Sequence, residues 1–161
     1  MSEGSQKLVV FAALFGLVTQ AFAGEACIEL KTTAQVEKEV VDAKGVKSKV
    51  LVEAGKVIPG TEVIWTITAN NLCKVPSDKV KIDNPVPEHM TLVPNSAFGA
   101  GSDISYSLDG KTFAPAGKLA VQEDGAARPA RADEYKHIRW EFKNSLPPGA
   151  SALARFRAVV N

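Results

Sequence analysis

Two cysteines, Cys27 and Cys73, carry the most direct chemistry in the sequence. Neither belongs to a Cys-x-x-Cys pair, the arrangement that redox catalysts use. Two are also too few for a four-cysteine zinc site or a disulfide-rich knot. In an oxidising compartment they have one intramolecular pairing, Cys27 with Cys73. Free or intermolecular thiols are the alternative. Closing a loop of this length stabilises a fold by roughly 4 kcal/mol in the chain-entropy description.

The other candidates are sparse. His89 and His137 are each alone in their segments, with no partner at metal-ligand spacing. Glu88-His89-Met90 has the soft His and Met donors of copper sites. The one further methionine is Met1. Glu123-Asp124 and Asp133-Glu134 lie in a polar stretch without the ligand alternation of a calcium loop. No GxSxG elbow and no phosphate-cradling glycine loop is present. The expectation is therefore no catalytic residues, no metal and no cofactor.

The elements around these residues read as strands. Apolar residues recur with period two along most of the chain, the signature of half-buried β-strands. Residues 28–40 and 46–52 flank an Asp42-Ala43-Lys44-Gly45 turn and read as a hairpin with one heavily charged face. After Pro59-Gly60, the run VIWTITAN places Val63, Trp65, Ile67 and Ala69 on one face. Lys79 to Ile82 alternates with Val80 and Ile82 inward, and Asp83-Asn84-Pro85 is expected to end it. Short strands follow at 90–93, at 104–108 with a return at Thr112-Phe113 after Asp109-Gly110, and at 119–122. Residues 123–135 read as a polar loop. His137 to Phe142 puts Ile138, Trp140 and Phe142 inward and His137 outward, and the last strand presents Ala154, Phe156 and Ala158. Short strands with one apolar face must stack on a second sheet, so an all-β antiparallel sandwich is expected. Its core should hold Trp65, Ile67, Ile82, Ile138, Trp140, Phe142 and Phe156, with the two tryptophans at the centre.

The chain has 161 residues, 45% hydrophobic and 23% charged. Nineteen Lys and Arg against 18 Asp and Glu leave a net charge of +1. That balance argues against a nucleic-acid binder or a polybasic membrane module. Residues 8–18 form an apolar run of signal-peptide length, well short of the ~20 residues needed to cross a bilayer. Ala21-Phe22-Ala23 supplies a small-x-small site, so cleavage between Ala23 and Gly24 is expected. Glu25 makes Cys27 a poor lipidation site. The expected organisation is a signal peptide over 1–23, a β extension over 24–52 and a sandwich domain over 53–161, with no membrane-spanning segment in the mature chain.

PGTEVIWTITANN, KVKIDNPVPEHMTLVPNSA, SYSLDG, HIRWEF and LPPGASALARFRAVV occur in that order. Together they are similar to the conserved-repeat family of bacterial surface and periplasmic proteins, domain of unknown function eleven. The likeness covers roughly residues 50–161 and is carried by turn and core residues. It implies an immunoglobulin-like fold. Family members are often tandem arrays, whereas this chain holds a single copy. Some surface domains of that kind form a Lys–Asn isopeptide link, for which Lys31, Asn161 and the acid Glu141 are positional candidates. Three ordinary strand residues are the simpler reading.

These observations lead to the expectation of a non-enzymatic, exported bacterial protein, periplasmic or at the cell surface, with a structural or interaction role. Its partner would be another protein or a second copy, met through exposed edge strands. A monomeric periplasmic assembly or partner-binding module is the alternative.

Overall fold

The computed structural model describes residues 27–161. The expected signal peptide over 1–23 and the expected cleavage between Ala23 and Gly24 lie outside the described residues. The strands are β1 (Ile28–Val41), β2 (Lys47–Glu53), β3 (Glu62–Asn71), β4 (Lys81–Pro85), β5 (Met90–Leu92), β6 (Ser102–Ser107), β7 (Ala120–Glu123), β8 (Ala126–Pro129), β9 (His137–Phe142) and β10 (Ser151–Val160). They form a five-stranded sheet in the order β2-β1-β3-β10-β5, a three-stranded sheet β4-β9-β6 and the hairpin β7-β8. Their pairings are antiparallel.

The core lies between the two larger sheets. Ile67, Ala69, Ala154, Phe156 and Ala158 come from the first, and Ile82, Tyr106, Ile138 and Trp140 from the second, with Val80 added from the segment just before β4. Both sets follow from strand alternation: every second residue faces the opposing sheet. Small alanines along β10 leave room for Trp140 and Phe156, whose rings lie 6.2 Å apart. Trp140, Phe156 and Ile138 are fully buried, and Ile67 and Ile82 nearly so. Trp65 and Phe142 are half-buried and pack against the core from its flank, not at its centre. The reason for Trp65 is its neighbour. It is in register with Ala34 of β1, where the larger sheet carries two further strands, β1 and β2, beyond β3.

Four other features differ from the sequence reading. Residues 123–135 contain a hairpin, not a loop. Asp124 and Gly125 both take positive φ (51° and 80°), the two-residue turn that an Asp-Gly pair favours. Strand β4 begins only after Lys79, whose φ of 53° interrupts the extended chain, and it runs on through Asp83-Asn84-Pro85. Pro85 is tolerated because β4 is an edge strand. The return at Thr112-Phe113 is reduced to a single bridge between Tyr106 and Ala114. The Asp109 carboxylate takes the N–H groups of Lys111 and Thr112, so the chain wraps into a turn there rather than a ladder. Finally, the division at residue 52 does not separate an extension from a body. Residues Ile28 to Gln35 pair with β3 from Asn71 to Ile64, so the first half of β1 is part of the main sheet.

Candidate interaction surface

Beyond Gln35, β1 leaves β3 and continues with β2 alone as a two-stranded ribbon. Six residues of β1, Val36 to Val41, make this projection about 20 Å long. Asp42 closes its tip: its carboxylate accepts the N–H groups of Lys44 and Val46, and Gly45 supplies a φ of 80°. The register pairs Val36 with Val52, Lys38 with Val50 and Val40 with Ser48. One face of the ribbon therefore presents four valines, Val36, Val40, Val50 and Val52, together with Lys38 and Ser48, and Val41 lies on the opposite face. The other presents Glu37, Glu39, Lys47, Lys49, Leu51 and Glu53.

An isolated two-stranded ribbon is marginal in water. Ion pairs run along this one from near its tip to its base. Lys47 Nζ lies 2.8 Å from Glu39 Oε1, and Lys49 Nζ lies 3.0 Å from Glu37 Oε2. Arg157 of β10 reaches Glu37 Oε1 at 3.0 Å and Glu62 Oε1 at 2.6 Å. The series Glu62–Arg157–Glu37–Lys49 thus ties β3, β10, β1 and β2 on the outer face. Its donors, Lys49 first and then Arg157, hold the Glu37 carboxyl below its ordinary value, and its acceptors hold the Arg157 guanidinium above its own. Val41, Val46, Val50 and Leu51 remain exposed. Among the described residues the outer edge of β2 takes no strand.

The opposite end of β1 is anchored. Cys27 and Cys73 form a disulfide with their Cα atoms 5.0 Å apart, and Leu72 N–H donates to Cys27 O at 2.8 Å. Next to it, Asn71 is fully buried and its side chain is satisfied. Its Nδ2 donates to Leu146 O at 2.7 Å and to Val75 O at 3.1 Å, and its Oδ1 accepts from Cys73 N–H. The sequence reading assigned Asn71 no such role. An Asn directly before a cysteine segment, at the end of an apolar strand, was the available signal.

The remaining candidates are scattered. His89 is exposed with a φ of 59°, and Met90 packs against the core. His137 is half-buried, its ring lying under Gly110, where a Cβ would come within 2.9 Å of Nε2. Arg128 takes Glu134 with both terminal nitrogens, at 2.7 and 2.8 Å, and also pairs with Glu123. Arg128 accordingly holds the Glu134 carboxyl down at about 2. Arg131 pairs with Asp133. These acids brace the β7–β8 hairpin and the short 3-10 turn at Ala132–Glu134.

The isopeptide trio is not assembled. Glu141 pairs with Lys81 on the three-stranded sheet, and Asn161 Oδ1 accepts from Thr91 at 2.6 Å. Lys31 stands opposite Thr68, itself opposite Leu153, about 26 Å along β10 from Asn161. No group of three or more His, Cys, Asp or Glu side chains that could hold a metal occurs among the described residues. No helix among them is long and apolar enough to cross a membrane. No family model matches the chain, and neither the curated proteins nor the solved structures provide a match.

Proposed function

We propose that the protein is a non-enzymatic, exported structural or interaction protein whose contact element is the β1–β2 ribbon. One observation carries this reading: a projecting ribbon with four valines on one face and an open edge along β2. Open edges recruit partner strands unless they are covered, short or guarded by charge; β2 is neither covered nor short, and Lys47 and Lys49 guard it against casual pairing and favour a specific partner. The Cys27–Cys73 disulfide supports export, because such bonds persist in oxidising compartments. The antiparallel two-sheet core supports the likeness to immunoglobulin-like surface domains in architecture. The connectivity departs from that of a constant immunoglobulin domain, since β10 lies between β3 and β5 and not beside β9.

A second reading, a monomeric partner-binding module, is favoured by the anchoring of β1. The disulfide and the pairing with β3 hold residues 27–35 in place, so β1 cannot be given up whole to another subunit. Both readings use the ribbon. A photoactivatable phenylalanine analogue at Leu51, in the producing cell, tests them together. Cross-linked adducts at Leu51 and none at Lys118, an exposed residue just before β7 and outside the ribbon, are expected. Equal adducts at both positions, or none at Leu51, would overturn the assignment of the ribbon as the contact element.

A further inference from the structure

We infer that the occupant of the β2 edge is a second copy of this chain, paired antiparallel to the first about a two-fold axis through Val50. This rests on the reading of the ribbon as an interaction element and names its partner.

The backbone sets which residues can pair. At the two ends of the ribbon, Asp42 N–H donates to Val46 O at 3.0 Å and Ala54 N–H donates to Ala34 O at 2.9 Å. Hydrogen bonding alternates along an antiparallel ladder. Val46, Ser48, Val50, Val52 and Ala54 therefore turn their N–H and C=O groups toward β1. Lys47, Lys49, Leu51 and Glu53 turn theirs to the open edge. A second β2 must present the same four residues in hydrogen-bonded positions.

Antiparallel registers with the axis at any residue from Ser48 to Val52 satisfy that parity; an axis through Ser48 sets Lys47 against Lys49, and one through Val52 carries Lys47 and Lys49 past the end of the partner strand. An axis through Lys49 sets two lysines against each other. An axis through Leu51 carries Lys47 past the end of the partner strand. An axis through Val50 places Lys47 opposite Glu53 and Lys49 opposite Leu51, twice over. Every outward N–H and C=O then has a partner, and the segment KSKVLVE meets its own reverse with opposite charges at its ends. Parallel pairing without a shift would bring Lys47 to Lys47 and Lys49 to Lys49. The Val50 register also joins the valine faces, with Val50 against Val50 and Val52 against Ser48. A two-fold contact of this kind closes on itself and uses up the β2 edge of both copies, so it gives a dimer and not a filament.

The test is cysteine cross-linking of the oxidised protein with Cys27–Cys73 intact. In the proposed register the two Val50 positions form a non-hydrogen-bonded pair with Cα atoms about 4.5 Å apart, within disulfide reach. Val50→Cys should give a covalent dimer under mild oxidation. Ser48→Cys and Val52→Cys alone should not, and the double variant Ser48→Cys/Val52→Cys should. Lys47→Glu should weaken the non-covalent dimer about tenfold, and Lys47→Glu/Glu53→Lys should restore it. Leu51→Pro removes an outward N–H and none of the β1 pairing, and should abolish the dimer in a folded chain. Circular dichroism checks the fold of each variant. Equal cross-linking at all single positions, or a monomer at every concentration, would overturn the inference. A monomer that still gives heterologous adducts at Leu51 would overturn the dimer alone. A monomer with no adduct there would overturn the ribbon reading as well.

Discussion

Arg157 near the end of the chain lies 3.0 Å from Glu37 on the first strand, reaching past β3 to do so. This contact sits where β1 parts from β3, at the root of the projecting ribbon. An ion pair with both partners partly exposed adds little to global stability. Its effect is local. Arg157→Ala should leave the melting temperature nearly unchanged and raise amide exchange and proteolysis within residues 36–53. Equal protection of the ribbon in the variant and the parent would show that the clamp does not hold it.

The same clamp makes the ribbon sensitive to acid. Glu37 lies below its ordinary value of 4.5 because it accepts from Lys49 and Arg157. A depressed carboxyl contributes its stabilisation in full above its unfolded value and loses it as pH falls through the folded one. Ribbon exchange, measured at fixed temperature, should rise as pH drops below 4.5, and Glu37→Gln should remove that dependence. Asp109 behaves likewise in the body of the fold, held at about 2 by the N–H groups of Thr112 and Lys111. Overall stability should therefore fall between pH 4 and 2, and Asp109→Asn should flatten that slope.

The disulfide fixes the start of β1 to the end of β3, across a sequence separation of 46. Replacing both by serine should cost about 4 kcal/mol, read as a lower denaturant midpoint. Loss of structure should begin at residues 27–35, which the bond tethers. A double variant as stable as the parent would contradict this.

Asn71 is the polar keystone beside that bond. Asn71→Ala leaves the Val75 carbonyl and the Cys73 N–H without their side-chain partner and removes one of two donors to the Leu146 carbonyl, which keeps the Ser77 N–H. Leaving buried polar groups unpaired costs roughly 1–3 kcal/mol, and a loss within that range is expected by urea titration.

Gly99 abuts the largest core residue. A Cβ there would lie 2.7 Å from Trp140 Cδ1 and 3.3 Å from the Leu153 carbonyl. Trp140 cannot retreat freely, because it is fully buried and its Nε1 donates to Phe98 O at 3.1 Å. Gly99→Ala should cost about 2 kcal/mol through overpacking and shift the tryptophan emission. An unchanged spectrum and midpoint would mean that the strand edge yields more easily than the geometry indicates.

Much of this fold is written in period-two alternation. The runs in β3, β9 and β10 placed Ile67, Ile138, Trp140 and Phe156 on the core face, because two stacked sheets bury every second side chain. Alternation is silent on which sheet extends past the other, so Trp65 looked as central as Trp140. The first arm of the β7–β8 hairpin was legible as the strand at 119–122, but its return, Ala126–Pro129, was hidden by Ala and Pro, which strands disfavour, and Asp124-Gly125 alone marked the turn. The ribbon was legible as a hairpin, down to the Asp42–Gly45 turn. Its projection was not, since that depends on where β1 leaves β3, a matter of sheet register between segments far apart in sequence. The clamp from Arg157 to Glu37 was invisible for the same reason.

The central claim is that the open β2 edge is where this protein meets its partner. Light scattering coupled to size exclusion, across a range of concentrations, tests it most directly when the oxidised protein is compared with Leu51→Pro. A concentration-dependent dimer that Leu51→Pro converts to a folded monomer is the predicted result. A dimer that survives Leu51→Pro unchanged would contradict the claim, because association would then run through another surface.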